Sequence, residues 1–129
     1  MTLYRAADSP EIREGDCLTD DLAVAREYAT QRGYAAVYAV EISEDGDWAS
    51  AADVARVATS LYGADRGYCG LYAGAGETWG DLDQMDVREA LRAERNVAVE
   101  FEEPWGSDHG VQWTLRLLDV SIITSIIEE

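Results

Sequence analysis

Apolar and polar positions change period along the chain, and the changes mark the elements. Residues 2–6 (TLYRA) read as a short strand. A loop over 8–16 follows, with Pro10 and Gly15 as breakers. Residues 20–32 read as a helix, N-capped by Thr19 or Asp20, with Gly33 just past its end and Leu22, Ala25 and Ala29 as its apolar stripe. The run YAAVYAVEI over 34–42 is β-rich and ends in the turn Glu44, Asp45, Gly46, Asp47. Ser50 caps a second helix, and Asp53 three residues on completes a capping box. Val54, Val57, Ala58 and Leu61 then recur at helical spacing. Residues 63–80 are rich in glycine and tyrosine and carry no assignable period. A third helix is predicted over 81–95, with Leu82, Met85, Val87 and Leu91 on its apolar side.

The last third alternates. Over 97–103, Val97, Val99 and Phe101 point one way and Glu100 and Glu102 the other. Over 111–117, Val111, Trp113, Leu115 and Leu117 oppose Gln112, Thr114 and Arg116. Such alternation around a loop at 104–110 predicts a β-hairpin with one face buried. SIITSII over 121–127 reads as one more strand. The order is strand, helix, strand, two helices, three strands. That partial segregation predicts a single α+β domain over 1–129, with small mixed or antiparallel sheets and about three helices, rather than a doubly wound parallel sheet.

Composition narrows the class. The chain has 129 residues, 47% of them hydrophobic, with four Trp and seven Tyr, so a real core is expected and disorder is not. No run reaches the roughly 20 apolar residues that span a bilayer. The first ten residues lack a basic segment followed by an apolar run, so the expected location is the cytoplasm. Acidic residues number 26 against 10 basic ones, giving a net charge of −16, and every basic residue is arginine. Such a chain repels phosphate backbones, which argues against direct binding of DNA or RNA. Three readings of the acidity stand side by side: solubility, attraction to a basic partner, or mimicry of nucleic acid.

Several chemistries are disfavoured. Cys17 and Cys69 form no CxxC, and the single histidine, His109, is remote in sequence, so no zinc site is expected and both thiols read as buried. The glycine-rich stretch 67–76 fits neither phosphate-loop pattern and no lysine is present, so it reads as a tight loop. No GxSxG surrounds any serine. Two features remain. Glu100, Glu102 and Glu103 gather at a strand end, either as a solvated cluster or as carboxylates able to stabilise a cation; Glu103 has the parity of the inward residues, where a carboxylate needs a partner or ligand. Arg5, beside Leu3 and Tyr4, is either a structural ion-pair member or a fixed cation for an anionic ligand.

These pieces, in this order, resemble the ADP-ribosyltransferase superfamily. Leu3, Tyr4 and Arg5 look like its first-strand element. Gly15 to Asp20 (GDCLTD), running into a helix with Ala25 and Tyr28, looks like the second. VAVEFEE over 97–103, followed by Trp105 and Gly106, looks like the third. The layout is also similar to a small ADP-ribosyltransferase-fold anti-CRISPR protein, through Ser9, Pro10, Glu11 and Ile12 and a late strand ending in adjacent acids. The resemblance spans roughly the first 45 and the last 35 residues.

It implies an NAD-dependent mono-ADP-ribosyltransferase, or an NAD-hydrolysing effector, acting on a protein target as a phage-encoded inhibitor of a host defence. Arg5 would bind the NAD diphosphate or ribose, and Thr19 would support the nicotinamide side. Tyr4 and Tyr28 would stack on a ring. Glu102 or Glu103 would stabilise the cationic state as nicotinamide leaves. The alternatives are a non-enzymatic acidic binder that occludes a basic surface and an antitoxin or immunity protein.

Overall fold

A computed structural model of the chain describes residues 1–66, 76–104 and 111–129; for 76, 77, 103, 104 and 111 it describes the backbone alone. The elements run β1 (Thr2–Ala7), β2 (Cys17–Thr19), α1 (Leu22–Arg32), β3 (Ala36–Ile42), β4 (Asp47–Ala49), α2 (Ala51–Tyr62), α3 (Gly76–Asp83), α4 (Met85–Ala93), β5 (Asn96–Pro104), β6 (Val111–Leu117) and β7 (Ile123–Glu128), with a short 3-10 helix at Val120–Ile122. The strands form a seven-stranded mixed sheet in the order β4-β5-β6-β2-β1-β3-β7. Only β4 and β5 pair in parallel. The class is α+β, with four α-helices among the described residues where about three were expected.

Local chemistry explains the helix ends. At α2 the capping box forms as its sequence requires: the Ser50 hydroxyl accepts from Asp53 N–H, and the Asp53 carboxylate accepts from Ser50 N–H. At α1 the cap is Asp21, which accepts from the N–H groups of Ala23 and Val24, not Thr19 or Asp20. Thr19 lies instead within β2, where its hydroxyl accepts from Asp21 N–H at 3.2 Å. Gly33 closes α1 at φ +72°, a left-handed position that suits glycine. The single helix expected over 81–95 is two: Gln84 is extended, at φ −81° and ψ 119°, and separates α3 from α4.

The register sorts side chains onto two faces. On one, Ala6 and Val37 pack under Ala25 of α1, while Val99 and Phe101 pack under Val54, Val57, Leu82, Val87 and Leu91 of α2, α3 and α4. On the other, Leu3, Leu18, Val40, Leu115 and Leu117 form a cluster to which no helix of the described residues contributes except Ile122 of the 3-10 turn. Trp48 of β4 and Ile126 of β7 come from opposite edges of the sheet, yet both pack on that cluster. The cluster thus runs across the whole width of the sheet.

Three expectations change. The apolar sets of the hairpin do not share one face: Val99 and Phe101 of β5 are the register partners of Arg116 and Thr114, while Leu115 and Leu117 of β6 pack on the opposite side, so β6 is buried on both faces and Glu102 of β5 stays exposed. Leu61 and Met85, expected on apolar helix stripes, are exposed, and Val24 is buried on α1. The short strand β2 arises just past the loop expected over 8–16 and β4 at the end of the expected turn; each has only three residues, too few to show a period of two, and exists through its neighbour's ladder. Residues 67–75 and 105–110, including Cys69, Trp105, Gly106 and His109, lie outside the described residues. No helix among the described residues is long and apolar enough to cross a membrane.

A buried ion pair ties α3 to the end of α2. Arg66 Nε and Nη2 donate to the two carboxylate oxygens of Asp81 at 2.6 and 2.9 Å, with Asp81 1% exposed. Removing one partner strands the other's charge in the core, so Asp81→Asn should cost about 3–5 kcal/mol in a urea titration. The capping box adds a pH signature. Ser50's backbone N–H, then its hydroxyl and Arg56, hold the Asp53 carboxyl below the usual carboxylate range. Its stabilisation is present above the unfolded value of about 3.9 and lost as pH falls through the lower folded value. Thermal midpoints of the wild type and Asp53→Asn should therefore differ near neutrality and converge in acid.

Candidate functional site

Two helical layers cover the two ends of one sheet face and leave its middle open. α1 lies over β1, β2 and β3, while α2 and α4 lie over β5. Between them Cys17 and Thr19 of β2 and Gln112 and Thr114 of β6 form the floor of a cavity of about 430 Å³. One wall is Ala25, Tyr28 and Arg32, which recur at i, i+3 and i+7 along α1, with Tyr34 just beyond. Trp79 of α3 faces it, and Tyr4, Arg5, Gly15 and Asp16 close the end. That volume lies within the range of small-molecule sites, about 300–1,000 Å³.

The floor is polar and bonded. The Thr19 hydroxyl donates to Gln112 Oε1 at 2.8 Å, joining β2 to β6 through side chains as well as backbone. Above it the tyrosines form a platform. The Tyr28 and Tyr34 rings are 5.9 Å apart, and Arg32 Cζ lies 5.3 Å from the Tyr28 ring centre. Tyrosine faces suit a planar ring, guanidinium groups suit phosphate or carboxylate, and hydroxyl, amide and carboxylate groups suit a sugar. The set fits a nucleotide-like ligand. Among the described residues no group of His, Cys, Asp and Glu is arranged to hold a metal ion.

The turn before β2 shapes the cavity's end. Asp16 N–H donates to the Arg13 carbonyl, and Gly15 N–H and the Asp16 carbonyl extend the ladder to Leu117. Arg116, buried on β6, grips this turn from below. Its Nε donates to the Gly15 carbonyl and its Nη2 to Asp83, each at 2.9 Å, and its Cζ lies 5.2 Å from the Trp79 ring centre. One alternating strand thus carries a cavity floor and a buried cation where the sequence pattern reads a solvated face.

Four residues singled out by sequence, Tyr4, Arg5, Thr19 and Tyr28, border this one cavity. Arg5 differs from the other three. Its register partner is Tyr38, which packs in the helix-free cluster. Its guanidinium is engaged, with Nη2 3.3 Å from Asp16 and Nη1 donating to the Glu11 carbonyl at 3.2 Å. The two acidic candidates also separate. Glu102 is exposed and pairs with Trp113, whose ring packs on Trp48 across the other face. Glu103 is the register partner of Gln112. Cys17, read as a buried thiol, is half-buried and lines the floor. Arg32, Tyr34, Trp79, Gln112 and Thr114 are added by the structure. The i, i+4 pair Tyr28 and Arg32 was the visible signal for the first of these; nothing local announced the rest.

Comparison of the chain with family models, with curated proteins and with solved structures gives no match in any of the three.

Gly15 has φ +91°, and a Cβ there would meet only the end of the Arg88 side chain, at 3.8 Å. Backbone conformation, not space, is what excludes other residues. Gly15→Ala should therefore destabilise by about 1–2 kcal/mol, the cost of a left-handed residue with a Cβ, read as a lowered urea midpoint. An unchanged midpoint would show that the turn tolerates a side chain.

Proposed function

We propose that this protein is an NAD-dependent enzyme of the ADP-ribosyltransferase type, which transfers ADP-ribose to a protein target or to water. The observation that carries the reading is the convergence of Tyr4, Arg5, Thr19 and Tyr28, from three separated stretches, on one cavity of about 430 Å³. The chemistry supplied by NAD is a ribosyl carbon that becomes electrophilic as the bond to nicotinamide breaks. The chain's task is to orient and to stabilise. Tyr28 and Tyr34 offer stacking faces, and Thr19 with Gln112 offers a bonded polar floor for amide or hydroxyl groups.

A carboxylate is required where positive charge develops on the ribose. The register favours Glu103 for this role, because it pairs with the floor residue Gln112 while Glu102 pairs with Trp113 on the other face. The bond to nicotinamide breaks with its electron pair leaving on the ring, and the acceptor's lone pair forms the new bond while its proton passes to solvent.

Fixed electrostatic groups of this kind are worth about 10²–10³ in rate. Glu103→Gln should reduce nicotinamide release by about that factor with an unchanged melting midpoint, and Glu102→Gln should leave release near wild type. Equal turnover in wild type and Glu103→Gln would remove that residue from the mechanism. NAD at about 100 times its dissociation constant should stabilise the fold by about 2.7 kcal/mol; no shift at saturating NAD would end the NAD reading.

A second reading, a non-enzymatic binder of a basic surface, is favoured by the fate of the arginines. Among the described residues Arg5, Arg13, Arg56, Arg66, Arg92 and Arg116 pair with the chain's own carboxylates, and the 26 acidic residues outnumber the 10 arginines. Its mark would be association with a basic protein that weakens steeply with salt.

A further inference from the structure

We infer that the anionic group of the cavity's ligand is received by Arg32 on α1, and that Arg5 acts as a positioning residue for the 13–16 turn. The inference rests on reading the cavity as a nucleotide site and assigns the end at which phosphate sits.

The two arginines that border the cavity are in opposite states. Arg5 Nη2 is 3.3 Å from the Asp16 carboxylate, and Nη1 donates to the Glu11 carbonyl. Its charge is already compensated, and its backbone register assigns it to the sheet face opposite Tyr4 and Thr19. A phosphate arriving there would have to displace an intramolecular carboxylate and would meet its negative charge. Arg32 has no ion pair among the described residues. It is held instead by the Tyr28 ring, 5.3 Å from Cζ. Its N–H donors make no hydrogen bond or ion pair among the described residues, and a guanidinium fork so left open can bind phosphate or carboxylate in a bidentate fashion. Helix polarity accounts for a cation in the last turn of α1, since the dipole's negative end lies there. It does not account for that cation's place on the wall of the cavity beside Tyr28 and Tyr34.

The ligand is thereby oriented. Its anionic part lies at the Arg32 end over the tyrosines, and its neutral hydrogen-bonding part lies toward Thr19, Gln112 and Asp16. In a protein of net charge −16, an uncompensated cation lining a cavity is the feature able to hold an anion there.

The test is calorimetric titration of wild type, Arg32→Gln and Arg5→Gln with ADP, adenosine and inorganic pyrophosphate, with folding checked by thermal melts. The readout is the preference for ADP over adenosine, which isolates the phosphate. We expect Arg32→Gln to cut this preference about tenfold or more, the value of a charge-assisted contact, and to weaken pyrophosphate equally. Arg5→Gln should keep the preference even where its melt is lowered, and Arg32→Lys should restore part of it. A preference that survives Arg32→Gln, or that falls further in Arg5→Gln, overturns the assignment. Pyrophosphate binding that depends on Arg32, without binding of ADP or NAD, would keep the anion site and overturn the nucleotide reading.

Discussion

Three residues join the two halves of this sheet. β2, Cys17–Thr19, pairs with β6 over its whole length and with β1 at the single position Thr19 to Tyr4. Remove that seam and β4, β5 and β6 with their helices would be one unit, and β1, β3, β7 and α1 another. A strand of three residues has little stability of its own. It is held from below by the Arg116 guanidinium on the Gly15 carbonyl, and from the side by the Thr19 hydroxyl on Gln112. The continuity of the sheet, the gap between the two helical layers and the cavity in that gap all depend on this junction.

The same junction supplies partners to most of the buried polar face of β6, with Arg116 Nη1 left without a hydrogen bond among the described residues. Burying Gln112, Thr114 and Arg116 in an apolar layer would cost several kcal/mol without partners. Arg116 meets a carbonyl, a carboxylate and an indole face, and Gln112 meets a hydroxyl. Polar groups that converge on a cavity floor are where a ligand's own donors and acceptors can be matched. The helix-free face, by contrast, is filled mainly with aliphatic side chains flanked by Tyr38, Trp48 and Trp113.

Charge acts on two scales. Over the whole surface the chain carries a 16-unit excess of acid, a field of negative sign. Within the cavity the balance is set by single pairs. Asp16 compensates Arg5, and Arg32 rests on an aromatic ring. A small anion that enters is therefore governed by the local guanidinium more than by the distant net charge, which salt screens beyond about 10 Å.

The elements with long periods were legible in the chain. The capping box at Ser50 and Asp53 and the stop at Gly33 follow from local backbone chemistry and appear where the pattern places them, and β5 and β6 form as strands, though with their apolar sets on opposite faces. The class and the acidity were legible too; Tyr4, Thr19 and Tyr28, which border the cavity with Arg5, were singled out through a family resemblance and not by any local pattern. The short strands, the break at Gln84 and the partners of Arg116 and Arg66 were not legible. A three-residue strand has no period to read, and an ion pair such as Arg116 with Asp83 joins residues 33 apart whose meeting no local rule encodes. Alternation tells which residues share a face, but only packing decides whether that face meets water or a helix. That is why the polar side of β6 read as surface and proved to be the floor of the site.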